Sequence, residues 1–498
     1  MAVVFLEGFD KYGGANSNNT SVAALLTAGE WNSAGAALNI VAPLSATGNA
    51  LSFVSQNNAL SKTLAASYGR LIGGFRFSSN LGGFAGIQFN DAGTAQASIA
   101  VTSSGVFIVR NGAISSGTIL GTSTVSVSAN STHYLEFDIT FGNAAAYQVW
   151  LDGVSILGPA SGDTTTTANN TANGISLSVG TGAVWAVTVD DFYLFDATGT
   201  TNNAALLTSP RIETTFPASD SAVQFAFGAG ILGSSVPVVT STSGGTANFL
   251  TLRRFIPSVA CTLNSISTVV SGASVTANFR GVVYADSAGV AGALLSSGTT
   301  VTGNAANVPV ILPLITPQNL VAGTAYWLGW MTDTNGSTVV SDGLSQVYRV
   351  AATFSSGAPA TAGVMTVSTS YMIWGNLTGI SVNSYEVSQR PPVGQYSYVY
   401  DSTVAHEDLY TFAPLTTSPN VIHSVAVKAY TQKSDSGTRT VSMRTKSGAT
   451  DSGGSLTGQV QGTTFGWLGS YFPVDPNTSA AWIPANLDAA TSGFRIDS

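Results

Sequence analysis

The chain has 498 residues, a formal charge of −8 from 17 Lys and Arg against 25 Asp and Glu, and only 8% charged residues, where an ordinary soluble domain has about 25%. The acidic balance excludes the basic footprint that a nucleic-acid binder needs, and the single cysteine, Cys261, excludes a disulfide framework and a cysteine-based zinc site. Its 23 Phe, 16 Tyr and 8 Trp supply enough apolar surface to exclude disorder, and the length allows about two to four domains.

The first residues, Met1 to Glu7, carry no basic stretch followed by a long apolar one, so no secretory signal is expected. A short helix is possible at Ser21 to Leu26. From there alternation of apolar and polar residues dominates, the period that buries one side of a strand. It marks Leu71 to Phe77, Ala97 to Val101, Val106 to Arg110, His133 to Ile139, Tyr147 to Leu151, Ile175 to Val179 and Trp185 to Leu194. Asn111-Gly112 and Asp152-Gly153 read as hairpin turns. Thr198 to Asn203 reads as a linker. The least charged section, about 223 to 394, holds strand-like Ala277 to Tyr284 and Ala325 to Met331; the last hundred residues hold His423 to Tyr430 and Arg439 to Lys446. Mean hydropathy is positive, +0.27. Yet the longest charge-free run, between Asp286 and Asp333, is broken throughout by Gly, Ser, Thr, Asn and Pro. That texture fits short strands, not a membrane-spanning helix of about 20 apolar residues. The pattern predicts an all-β chain of sandwiches.

The opening Glu7-Gly8-Phe9-Asp10-Lys11-Tyr12 and the later Val189-Asp190-Asp191-Phe192-Tyr193-Leu194, with Gly73 to Phe77, Gly105 to Asn111 and Glu136 to Gly153 between them, resemble the concanavalin A-like (laminin G-type) jelly roll of bacteriophage virion proteins. Asp401-Ser402-Thr403, Glu407 to Phe412, Val425 to Tyr430, Ser436 to Arg439, Phe472 to Asn477 and Ala481-Trp482 resemble the segment that follows this jelly roll in simpler relatives. About 170 residues intervene here, in which Val283 to Asp286 and Ala291 to Leu295 resemble sandwich modules of cell-surface and carbohydrate-binding proteins. The expected organisation is a jelly roll at 1–198, a linker and the start of the C-terminal domain at 199–222, an inserted β-sandwich at 223–395 and the rest of a C-terminal β-sandwich at 396–498.

The resemblance implies a structural component of a virion, in tail, fibre or head decoration. Its partners would be other virion proteins, further copies of itself, most simply as a trimer, and host-surface glycan, with neither nucleic acid nor membrane insertion. It also implies a structural calcium where the first and last strands meet, with Glu7, Asp10, Asp190 and Asp191 as ligands; no other cofactor is required. Hard Ca²⁺ takes carboxylate and carbonyl oxygens, and the plainer role of Asp191 is hydrogen bonding to nearby amides. Sugar-stacking candidates are Trp327, Trp330 and Trp374, with Trp185, Tyr371 and Trp467 beside them, although core packing is the usual role of such rings. Trp327 and Trp330 are three apart and point to opposite faces of a strand.

No Gly-x-Ser-x-Gly elbow or His-Glu-x-x-His helix exists, and His133, His406 and His423 read as structural or surface residues. Glu136 and Asp138 share a strand face, the spacing of a glycosidase pair. With Leu135, Phe137 and Ile139 on the buried side, they are expected on a solvated face. No catalytic residue is assigned and a non-enzyme is expected. The alternatives are a polysaccharide depolymerase of the virion and a bacterial surface adhesin.

Overall fold

A computed structural model describes residues 3–12, 22–23, 26–27, 30–45, 48–182, 186–198, 207–227, 230–233, 242–245, 247–257, 260–270, 276–303, 308–335, 337–340, 347–368, 371–378, 383–387, 398–416, 419 and 421–498. Linker residues 199–206 and part of the expected helix at 21–26 lie outside these. The chain is all β, built from antiparallel sheets, with short helices at Asn383–Val387 and Pro484–Ala489. None of the described helices is long and apolar enough to cross a membrane. Contacts divide it into two compact units, one of residues 1–216 with 412–498 and one of residues 217–411.

Fifteen strands form the first part of the larger unit: β1 (Val3–Glu7), β2 (Ser33–Ala34), β3 (Leu38–Val41), β4 (Ala50–Phe53) and β5 (Asn58–Tyr68). Then come β6 (Arg70–Ser79), β7 (Gly83–Asp91), β8 (Thr94–Val101), β9 (Val106–Asn111) and β10 (Thr118–Ser126). The last are β11 (Thr132–Thr140), β12 (Ala145–Leu151), β13 (Val154–Gly162), β14 (Ala172–Gly182) and β15 (Val187–Asp196). They make an eight-stranded sheet, β13-β12-β11-β6-β15-β4-β3 with β1 beside β15, and a seven-stranded sheet, β10-β9-β8-β7-β14-β5-β2. The alternating apolar residues meet between them: Phe137 lies edge-on to Phe89 at 5.3 Å and Phe77 edge-on to Phe107 at 5.9 Å. Asp152 and Gly153 turn β12 into β13 with φ of 51° and 79°, the left-handed pair that a tight hairpin requires.

The Asn111-Gly112 pair departs from expectation. Instead of a two-residue turn, six residues separate β9 from β10. Gly112, at φ 89°, donates its N–H to the Gln96 carbonyl at 2.8 Å, and the Arg110 guanidinium holds the Gly117 carbonyl. Both bonds fold the loop back instead of closing it.

Residues 412–498 complete this unit. Val425–Thr431 pairs with Gly466–Phe472, and Thr440–Ser447 pairs with Thr491–Ile496, over a core of Val427, Val441, Met443, Phe472 and Trp482. The other face of the 425–431 ribbon packs on the jelly roll, where Ala426 and Tyr471 join Val3, Leu6, Tyr134, Tyr193 and Phe195. Charge sits inside this contact. The Lys428 ammonium donates to the Leu6 carbonyl at 2.8 Å and to Glu30 at 2.6 Å. Lys11 bonds both Glu30 and Glu7, the latter at 2.8 Å. Burial alone would raise the Glu30 carboxyl, but Lys11 and Lys428 bring it down to about 2; burial would lower Lys11, yet Glu30 and Glu7 raise it.

The smaller unit is a two-sheet sandwich. One sheet has the order Gly230–Gly233, Trp374–Thr378, Cys261–Val270, Ser337–Val340, Thr242–Gly245, with Val308–Leu320 also on Cys261–Val270. The other runs Val290–Ser297, Asn278–Ser287, Tyr326–Thr332, Phe249–Phe255, Val347–Ala351, Thr366–Ser368. Leu263, Ile266, Phe279, Leu328, Trp330 and Ile373 fill the space between, and a second cluster around Leu250, Tyr284, Trp327 and Met331 is capped by Phe354, Ala358 and Met365. Among the described residues Val308–Leu320 has strand partners on one side, with Pro309 opposite Val269 and Pro313 opposite Ser265, and it exposes Ile311 and Ile315.

Replacing Glu30 by Gln leaves Lys11 and Lys428 facing each other in a buried contact. Breaking a buried pair from one side costs about 3–5 kcal/mol, so urea unfolding of Glu30→Gln is expected to show a loss of that order. An unchanged midpoint would mean the cluster does not hold the C-terminal sandwich.

Candidate functional site

The first and last jelly-roll strands meet: β1 pairs with β15, Glu7 opposite Phe192. A bulge breaks the β15–β6 register between Asp190 and Tyr193, and Asp191 takes a left-handed φ of 50°. The four acidic residues here do not converge on one point. Glu7 is spent on its own segment: it accepts from the Phe9 N–H at 2.9 Å, the Tyr12 hydroxyl at 3.1 Å, the Trp31 indole at 3.3 Å and Lys11. Asp191 accepts from Arg76 at 3.1 Å and from the Ile212 N–H at 2.8 Å, which is the amide role.

Asp10 and Asp190 differ. Asp10 accepts the Asn49 N–H at 2.6 Å, and Asp190 accepts the N–H groups of Leu44 at 3.1 Å and Asp191 at 2.8 Å. Burial pushes the Asp10 carboxyl up to about 6, with Glu7 adding to it. Burial, then the charges of Asp191 and Asp10, push Asp190 up to about 7. Two buried carboxylates that raise each other without a salt-bridge partner fit a hard cation. Glu7 and Asp191, already committed, do not. Among the described residues no group of three or more His, Cys, Asp or Glu is placed to hold a metal. An ion here would therefore rest on Asp10, Asp190 and backbone oxygens.

Glu136 is not on a solvated face. It is fully buried, because the chain at 207–209 crosses over it and the C-terminal sandwich packs beside it. Its Oε1 accepts from the Tyr193 hydroxyl and the Leu207 N–H, both at 2.8 Å, and from the Thr208 N–H at 3.1 Å, while Oε2 has no partner. Burial raises this carboxyl against those donors. Asp138 is tied to Arg70. The pair therefore offers no open acid-and-base arrangement.

Trp327, Trp330 and Trp374 are 1%, 0% and 1% exposed. Trp327 and Trp330 do lie on opposite faces of their strand, but both faces are covered. Tyr371 is buried as well, Trp185 lies outside the described residues, and Trp467 is half-buried with Lys11 over its ring. The open aromatic pair is one that alternation alone did not single out, Tyr398 and Tyr400, 36% and 57% exposed with ring centroids 6.0 Å apart. Its signal is the Tyr-Ser-Tyr-Val-Tyr run at 396–400. His133 bonds Asp152 and His406 bonds Asp401, both at 2.7 Å.

The outer face of the seven-stranded sheet is polar across its width. Register places Ser61, Ser176, Gln88, Ser98 and Arg110 side by side on five adjacent strands. Ser61 and Ser176 share a 2.8 Å hydrogen bond, Asn90 donates to Ser176 at 3.1 Å and Gln88 donates to Asn90 at 2.8 Å. Gly86 and Ala100 leave the neighbouring row without bulk. Hydroxyls and amides in a row perpendicular to the strands, above small residues, suit an extended ligand that is itself rich in hydroxyls.

Neither a protein-family model nor a curated protein sequence matches the chain. Solved structures do. An endo-β-1,4-glucuronan lyase from Trichoderma reesei is 13% identical over 37% of this chain and 95% of its own, with a TM-score of 0.27. The alginate lyase Aly36B is 12% identical over 38% and 95%, TM-score 0.27, and the carbohydrate-binding module CBM66 from Bacillus subtilis is 10% identical over 33% and 91%, TM-score 0.22. At this distance they assign no activity. They do correct one expectation, that of a non-enzyme: proteins named as polysaccharide lyases stand among the matches, and the exclusion of catalysis is withdrawn.

Two tests follow from the carboxylates. With Asp10 and Asp190 raised above the usual carboxylate range, the folded form favours their protonated state. Their contribution is full at acid pH and is lost as pH rises through about 6 and 7. In chelator the full-length protein is expected to lose melting temperature between about pH 5 and pH 8, and millimolar calcium at the upper pH is expected to restore it in the wild type but not in Asp190→Asn. A wild type indifferent to calcium removes the metal. Glu136→Gln keeps the acceptor and discards a buried charge, so it is expected to match or exceed wild-type stability near neutral pH, whereas Glu136→Ala loses about 1–3 kcal/mol. The reverse order would overturn the reading of Glu136 as a structural acceptor.

Proposed function

We propose that the protein is a structural component of a bacteriophage virion that works through assembly contacts and by binding carbohydrate on the host surface. What carries the reading is that the two segments on which the phage resemblance rests, Glu7 to Tyr12 and Val189 to Leu194, come together as paired strands, Leu6 opposite Tyr193 and Glu7 opposite Phe192. Residues 412–498, which resemble the segment following that jelly roll, belong to the same compact unit. The charge-poor surface, rich in Ser, Thr, Asn and Gly, favours contact with neighbouring subunits and further copies. The polar row from Ser61 to Arg110 supports the carbohydrate part.

Antibodies raised against the purified chain are expected to decorate intact phage particles in negative-stain micrographs, and the protein is expected to sediment with host cell-wall polysaccharide. Unlabelled particles, with the antigen confined to the soluble fraction, would sink the virion reading. Shortened oligosaccharides released during the same incubation would identify cleavage in place of simple binding.

A further inference from the structure

The loop between β9 and β10 covers the Arg110 end of the polar row. Ser98 donates to the Gly112 carbonyl at 3.0 Å, the Ile114 N–H donates to the Gln88 amide oxygen at 3.2 Å, and the Ile114 side chain packs on Phe84, Ala100 and Ile108. The tip reaches β14: a Cβ placed on Gly180 would lie 3.4 Å from that of Ser115. Glycines stand at both ends, Gly112 with its left-handed φ and Gly117 pressed against the Asn111 carbonyl. Ser115 and Ser116 at the tip are exposed.

What lies beneath is incompletely satisfied. Arg110 is 8% exposed, its guanidinium stacks over Phe84 at 5.1 Å, and its Nε–H has no acceptor. Ser178 Oγ, on the same face as Ser176, is also buried without a partner. Each such group costs about 1–3 kcal/mol while it stays unmet, and an arginine remains charged under any physiological condition. The bonds that hold the flap are few and sit at its edges. The groups left wanting are a cationic donor and a hydroxyl, side by side with the amide of Gln88.

We propose that residues 112–117 are a flap over a binding site for an acidic polysaccharide, in which a uronate carboxylate meets the Arg110 guanidinium and the sugar hydroxyls meet Gln88, Ser98 and Ser178. The carboxylate supplies the acceptor that Nε–H lacks, in the planar geometry that a guanidinium matches best. Ligand entry requires the Ile114 contact to open. This rests on the carbohydrate-binding reading and specifies the sugar and the gate.

The test uses the full-length protein, isothermal titration, hexagalacturonate as the acidic probe and maltohexaose as the neutral control. The 3.4 Å separation suits a disulfide, so Ser115→Cys with Gly180→Cys closes the flap when oxidised; Cys261 is buried and stays apart. The oxidised double variant is expected to lose about tenfold or more in affinity for hexagalacturonate and to recover on reduction, whereas Ile114→Ser gains several-fold. Arg110→Gln is expected to lose about tenfold on the acidic probe with maltohexaose unaffected, and Arg110→Lys to recover part of it. Equal binding by the oxidised and reduced forms overturns the gate, and unchanged binding by Arg110→Gln overturns the site. Failure of wild type and Ile114→Ser to bind hexagalacturonate overturns the inference alone if host polysaccharide still sediments with the protein; if that too is lost, the carbohydrate reading falls with it.

Discussion

The carboxylate of Glu30, gripped by Lys11 from the jelly roll and by Lys428 from the C-terminal sandwich, is the interaction on which the larger unit depends. Buried charges cost several kcal/mol each in lost hydration, and only close pairing returns it. The jelly roll alone would leave Lys11 shared between Glu7 and Glu30, with Glu30 half served. The sandwich alone would carry Lys428 against an apolar ribbon face. Each half therefore carries a defect that the other removes, and the geometry that removes it also brings Tyr471 and Ala426 onto Val3 and Tyr193. Hydrophobic contact supplies adhesion; the ions supply register.

That docking decides which jelly-roll face is free. The outer side of the eight-stranded sheet, with Tyr134, Glu136 and Tyr193, is taken up as internal packing. The outer side of the seven-stranded sheet carries instead the row of hydroxyls and amides ending at Arg110. Two sheets of one sandwich thus serve different ends. The paired carboxylate spacing at Glu136 and Asp138, which suggests chemistry when read along the strand, falls on the side committed to assembly.

The strands were legible wherever one side of a ribbon faces the jelly-roll core, as in Phe75 and Phe77 or Leu135, Phe137 and Ile139, because alternation records burial directly. Asp152-Gly153 was legible because its turn needs two left-handed residues. Asn111-Gly112 was not, since its path depends on Gln96 and Arg110 capturing the backbone. Nor was the burial of Glu136, whose cover comes from Leu207 and Thr208, some 70 residues on. The tryptophans misled for a related reason: placing Trp327 and Trp330 on opposite faces was right, but only the chain near Phe354 and Met365 reveals that the outer face is capped as well. Of the four acidic residues at the strand junction, local pattern could not separate Asp10 and Asp190 from Glu7, which Lys11 and Trp31 claim, or from Asp191, which Arg76 claims.

The rim strand Val308–Leu320 bears on crowding. A flat border with Ile311 and Ile315 on show would ordinarily invite a stranger's backbone to extend the sheet. Pro309 and Pro313 stand four apart and so share one side of the ribbon, and neither has a hydrogen to offer an incoming chain. Many such molecules can be held shoulder to shoulder, oily side chains touching, without stitching themselves into fibrils.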